Sequence, residues 1–116
     1  MTKKVYYLKT CSTCQRILKE LDLPSDWELQ NIKEEPMTEV QVEEMKNLAG
    51  SYEALFSKRS MKYKEWNLKE KNLSEEEMKN YILEEYTFLK RPVFIYGKQI
   101  FVGNAQKEID RLKEAL

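Results

Sequence analysis

Histidine is absent from the 116 residues, and cysteine occurs only twice. A structural zinc site takes four cysteine or histidine ligands, so the chain cannot complete one by itself, and no metal is expected. Lys and Arg number 20 and Asp and Glu 20, giving a formal net charge of zero. The basic excess of a dedicated nucleic-acid binder is missing, which argues against direct DNA or RNA binding. Glycine and proline occur three times each, and no Gly-rich phosphate loop, linker or repeat is present, so no bound nucleotide or other cofactor is implied. No apolar run approaches the ~20 residues that span a bilayer. Met1-Thr2-Lys3-Lys4 leads into a short strand-like run, not into the apolar region of a signal peptide, so the expected location is the cytoplasm, away from membranes. The length suits one domain with a real core.

What the chain does have is a pair. Cys11 and Cys14 follow at once on the apolar run Val5-Tyr6-Tyr7-Leu8. A strand that ends in Cys-x-x-Cys and passes into a helix places the first sulfur at the helix N-terminus, where unpaired N–H groups and the dipole favour a thiolate. A thiolate attacks disulfides and electrophilic oxyanions, and a neighbouring thiol can resolve the adduct as an internal disulfide. A permanent structural disulfide is the competing reading, but so short a loop gains little chain entropy and nothing suggests an oxidising compartment. Thr10 just before Cys11, and Ser12 and Thr13 after it, can donate hydrogen bonds to the thiolate.

Periodicity places the pair in a fold. Lys4 to Lys9 reads as a buried strand, and Ile17, Leu18 and Leu21 recur at helical spacing before Pro24. Trp27 to Ile32 reads as a second strand, parallel to the first. The middle is helical: Thr38 reads as an N-cap for a stripe of Val40, Val42, Met45 and Leu48 ending at Gly50. A short helix is expected at Tyr52–Phe56 and a polar joint at Ser57-Lys58-Arg59-Ser60. Ser74-Glu75-Glu76-Glu77 is a capping box for a helix whose face runs through Met78, Tyr81, Ile82, Glu85 and Leu89. Val93–Tyr96, a Gly97-Lys98 turn and Gln99–Val102 make a hairpin, and Asn104 is expected to cap a last helix carrying Ile109, Leu112 and Leu116. The order β-α-β, helices, β-β-α is that of an α/β, thioredoxin-like fold with a mixed four-stranded sheet and a helical insertion at about residues 37-88. A single domain covering residues 1-116 is the expectation.

In such a fold the proline opening the third strand is cis and lies beside the nucleophile, which gives Pro92 a place in the site and turns Arg91 toward Cys11. A guanidinium there lowers the thiol pKa and offers paired donors to an oxyanion. The plainer alternative is a solvated Arg91 beside Lys90 and a trans proline at an edge strand. The two Trp and seven Tyr residues read as packing.

Four segments carry a family resemblance: Cys11-Ser12-Thr13-Cys14, Ser57-Lys58-Arg59-Ser60, Lys90-Arg91-Pro92-Val93 and Val102-Gly103. In this order and spacing the chain resembles the ArsC/Spx/YffB family, which comprises glutaredoxin-coupled arsenate reductases, YffB-type reductase-like proteins and Spx regulators. The resemblance implies that Cys11 is the nucleophile and Cys14 the resolving thiol. It also implies that Arg59 and Arg91 hold a small oxyanion substrate, with Pro92, Thr10 and Ser12 completing the binding site. Glutathione or glutaredoxin would be the external reductant, in a bacterial, monomeric protein. The cysteine pair is nearer the Spx and YffB pattern, as is Ser57-Lys58-Arg59-Ser60, and the reductases' histidine near Tyr7 and their arginine around Val102-Gly103-Asn104 are absent. The alternative it implies is a redox-switched regulator that docks on the RNA polymerase α subunit. Gly50 lies near the glycine of that docking surface but out of register, and reads more simply as a C-cap.

Overall fold

A computed structural model describes residues 1–116. In chain order the elements are β1 (Lys3–Tyr7), α1 (Ser12–Leu21), β2 (Glu28–Asn31), α2 (Glu39–Ala49), α3 (Met61–Glu65), α4 (Glu75–Glu84), β3 (Val93–Tyr96), β4 (Gln99–Val102) and α5 (Gln106–Ala115). They form two compact units, Met1–Pro36 with Arg91–Leu116, and Met37–Lys90. The segment expected as an insertion falls inside the second unit.

The first unit is built on one mixed sheet of order β2-β1-β3-β4. β1 runs parallel to β2 and antiparallel to β3, and β3 and β4 form the expected hairpin. Register aligns Val5 with Phe94 and Phe94 with Phe101. Because strand side chains alternate, these three share a face. Against that face, Ile17 of α1 and Ile109 and Leu112 of α5 complete a buried cluster with Trp27. Trp27 meets Phe94 edge-on at 6.4 Å between ring centroids and stacks on Tyr96 at 5.7 Å. α1 stops where Asp22 turns left-handed (φ 46°), two residues ahead of Pro24.

α5 also covers the outer edge of β4. The Val102 N–H donates to Glu108 Oε2 at 2.9 Å, and Arg111 Nη2 donates to the Ile100 carbonyl at 2.8 Å. Arg111 Nε donates to Glu108 Oε1 at 2.9 Å, and the guanidinium lies 4.2 Å above the Phe101 ring. Asn104 is not the cap expected of it. Gly103, at φ 89° and with its N–H donated to the Pro92 carbonyl at 2.9 Å, turns the chain so that α5 starts one residue later. Ala105 is then the N-cap, with no side-chain cap.

The second unit is helical. Thr38 caps α2 in a capping box with Gln41, and Gly50 closes it at φ 99°. Ser74 and Glu77 form the box at the start of α4. Each box satisfies end N–H groups that the helix itself cannot. Lys79 of α4 reaches Glu43 at 3.0 Å and Glu39 at 3.8 Å, tying α4 to α2. Phe88 is fully buried and holds Phe56 at 5.1 Å, Trp66 at 5.6 Å and Tyr81 at 5.7 Å.

Three local expectations are corrected here. Tyr52–Phe56 is not a helix but a turn: the Leu55 carbonyl accepts the Lys90 N–H at 2.8 Å, the Ser57 N–H goes to the Phe88 carbonyl at 2.6 Å and Phe56 bridges Leu89 instead, while Glu75 accepts the N–H groups of Tyr52 and Glu53 at 2.7 and 3.1 Å. Val40 is 75% exposed, outside the stripe of buried Val42 and Met45. α4 ends at Glu84, so Leu89 is buried from a position after a 3₁₀ turn, not from the helix face. The polar joint leads into a helix the periodicity did not show, α3, whose N-cap Ser60 accepts from the Lys62 N–H at 3.2 Å. No helix of the chain is long and apolar enough to cross a membrane.

Candidate active site

The site begins where β1 ends. A buried strand must hand the chain to α1 within a few residues, and the turn at Lys9 and Thr10 does so, closed by the Cys11 N–H donating to the Leu8 carbonyl at 3.0 Å. Cys11 thereby becomes the N-cap of α1, extended at φ −87° and ψ 112°, and its carbonyl accepts the Gln15 N–H at 3.1 Å. Its side chain makes no closed capping bond, so the first-turn N–H groups remain to favour negative charge on the sulfur. Cys14 lies one turn on, fully buried. Both cysteines are free thiols.

Burial pushes the Cys11 thiol upward, but hydrogen bonds from the Cys14 N–H, the Cys14 thiol and the Thr13 N–H, with the charge of Arg91, outweigh it. The result is a thiol below its ordinary value of 9.0. Cys14 goes the other way, to about 11, chiefly by burial and further by the hydrogen bond and charge of Cys11, against the pull of the Leu8 backbone and Arg91. The pair is thus divided into a thiolate-prone sulfur that is partly exposed and a proton-holding sulfur in the core. This is the division that nucleophile and resolving thiol require.

The Arg91–Pro92 bond is cis. Pro92 is buried, and its carbonyl is taken by Gly103. Arg91 is half-buried, with its Nε shielded from solvent, and its charge is felt at both sulfurs. The solvated-arginine and trans-proline alternatives are therefore set aside. Thr10 and Ser12 are exposed beside Cys11. These residues all belong to the first unit. Arg59 belongs to the second, exposed in the turn before α3, with its N–H donated to Ser57 Oγ at 3.3 Å.

Two residues that the motifs did not single out act on the same loop. Asn31, the last residue of β2, accepts the Lys9 N–H through Oδ1 at 3.2 Å, and Gln15 of α1 donates through Nε2 to the Lys9 carbonyl. A polar side chain at each of two element ends facing one turn is the only sequence signal either gives.

A sequence model of the ArsC family matches residues 6–112. The uncharacterized protein YusI of Bacillus subtilis is 27% identical over 115 residues, covering 95% of this chain and 97% of that protein. Among solved structures, a putative ArsC family related protein from Bacteroides fragilis has a TM-score of 0.78 at 24% identity, covering 97% of this chain and 98% of that one. An arsenate reductase from Vibrio cholerae has a TM-score of 0.77 at 18% identity, with both chains covered completely. At such identities the likeness shows the fold, which is thioredoxin-like, as the element order suggested.

Proposed function

The chain belongs to the ArsC family, and from that premise we propose that it is a thiol-dependent, arsenate reductase-like oxidoreductase with Cys11 as nucleophile. The observation that carries the proposal is the opposed ionisation of the two sulfurs at the start of α1, beside the charge of Arg91. The likeness to the arsenate reductase from Vibrio cholerae supports arsenate as the first substrate to try.

The Cys11 thiolate attacks arsenate, an S–As bond forms, and one arsenate hydroxyl takes a proton from solvent and leaves as water. Arg91 is placed to balance charge as it shifts onto the remaining oxygens, a contribution that fixed donors make most effectively away from bulk water. Cys14, giving up its proton, then attacks the Cys11 sulfur. The S–As electron pair returns to arsenic, arsenite departs, and a Cys11–Cys14 disulfide remains. Two electrons have passed from the sulfurs to arsenic, and glutathione or glutaredoxin restores them. Thr10 and Ser12 supply hydroxyls beside the nucleophile, and Pro92 shapes the wall next to it.

The test is arsenate-dependent NADPH consumption with glutathione, glutaredoxin and glutathione reductase present. Turnover is expected in the native protein, none in Cys11→Ser, and roughly a hundredfold less in Arg91→Ala, the usual cost of one transition-state donor. Turnover no higher than that of Cys11→Ser refutes the proposal. The cysteine pair also favours a second reading, a redox-switched regulator of the Spx type, whose disulfide would change its affinity for the RNA polymerase α subunit. Oxidation-dependent pull-down of that subunit, lost in Cys14→Ala, is the observation it requires.

A further inference from the structure

The nucleophile is only as well aimed as the turn that delivers it. A thiolate gains from helix N–H groups when its own backbone is fixed, because the benefit fades within the first turn and with misalignment. Lys9 and Thr10, the two residues before Cys11, are exposed and carry no packing of their own. Their order comes from polar contacts on the two peptide units that meet at Lys9. The Lys9 N–H is held by Asn31 at 3.2 Å and the Lys9 carbonyl by Gln15. The Leu8 carbonyl, one residue earlier, takes the Cys11 N–H at 3.0 Å. One holder comes from the end of β2 and the other from the first turn of α1. The turn is thus fastened both to β2, the parallel neighbour of the strand it leaves, and to α1, the helix it enters.

We propose that Gln15 and Asn31 are positioning residues for Cys11, which grip the Lys9 residue from opposite ends and so keep the Cys11 sulfur over the N-terminus of α1. The inference rests on the reading of Cys11 as the reactive thiol but not on the identity of its substrate. The groups that face Cys11 directly, namely the Cys14 thiol, the Thr13 and Cys14 N–H groups and the charge of Arg91, are untouched when Gln15 or Asn31 is changed. Gln15 is exposed on a helix, where alanine is the better helix former, so its removal does not threaten the fold.

The experiment is the pH profile of Cys11 alkylation by iodoacetamide in the reduced protein, read by mass spectrometry at that cysteine, for Gln15→Ala, Asn31→Ala and the double variant. Near neutral pH each single change is expected to slow alkylation about three- to tenfold, the range that partial loss of one hydrogen bond gives. The midpoint of the profile should move upward while the alkaline plateau stays, since the free thiolate is the same species. The double variant should be little slower than the slower single one, because both act through one residue and such effects do not add. A simple loss of stability would lower the urea midpoint without moving the alkylation profile. Unmoved profiles in both single variants overturn the proposal, as do shifts that simply add. Should Asn31→Ala not fold, Gln15→Ala alone decides by whether its profile moves. Absence of arsenate turnover alongside shifted profiles would strike the substrate assignment and leave the positioning role standing.

Discussion

Replacing Cys14 by alanine should invert the alkaline stability of the reduced protein. The Cys14 thiol ionises near 9.0 in an ordinary setting and at about 11 in the fold, with burial the largest cause. Between these values the folded protein keeps a proton that the unfolded chain has shed. Stability therefore falls as pH rises through this window, by about 1.4 kcal/mol per pH unit and so by about 3 kcal/mol in all. Cys11, held below 9.0 in the fold, is present in both proteins, so its own titration is common to them in the difference. The alanine variant loses one buried sulfur, at a cost of about 1 kcal/mol, but also loses the titration. At pH 8 the native protein should be the more stable by about 1 kcal/mol, and at pH 11, where the folded thiol is half ionised, the variant by about 1.3 kcal/mol, with the curves crossing at roughly pH 9.7. Urea unfolding in a non-thiol reductant at pH 8, 9, 10 and 11 measures this. Tyrosine and lysine titrations are common to both proteins and cancel in the difference. Parallel curves across the window would refute the reasoning, because they would mean that Cys14 does not carry a raised pKa in the folded state.

Glu108→Ala should destabilise by about 2 kcal/mol, for the lost charge-assisted bond to the Val102 N–H and the ion pair with Arg111. Arg111 and the Val102 N–H hold the Glu108 carboxyl below 4.5 against burial, so this contribution is complete above pH 4.5 and disappears as pH falls through the folded value. Urea midpoints of the two proteins should accordingly converge in acid. Phe88→Ala removes the ring that Phe56, Trp66 and Tyr81 surround and should cost about 4 kcal/mol, with loss of the near-ultraviolet circular dichroism of the second unit. A cost under about 1 kcal/mol would mean that those rings close over the gap.

Wherever a local rule acts alone, the sequence was a sufficient guide. Thr38 and Ser74 cap the helices assigned to them, Gly50 and Gly97 turn the chain at positive φ, and the apolar runs around Val5 and Phe94 become adjacent strands. It misled where a neighbour outbid the local preference. Asn104 is a good cap by type, yet the backbone bond from Gly103 to Pro92 starts α5 one residue later. Tyr52–Phe56 has helical composition, but the distant backbone of Phe88 and Lys90 pairs with the Ser57 N–H and the Leu55 carbonyl that a continuing helix would use. In the candidate site the cysteines and Pro92 were legible because motif and fold order both pointed to them. Gln15 and Asn31 were not, since they face one residue, Lys9, from two elements, and no periodicity records that.

The clamp on β4 has a consequence beyond the molecule itself. A strand at the margin of a sheet offers unpaired N–H and C=O groups to any other extended chain. On β4 the Val102 N–H and the Ile100 carbonyl are already committed to Glu108 and Arg111, so an incoming strand meets a side already hydrogen-bonded within its own chain. The opposite margin, β2, is four residues long and carries Glu28 and the exposed Leu29. Stacking copies side by side without limit needs two receptive margins per copy. With β4 closed, pairing through β2 can join two copies and then has nowhere to continue, so fibre growth by edge addition ends at the pair.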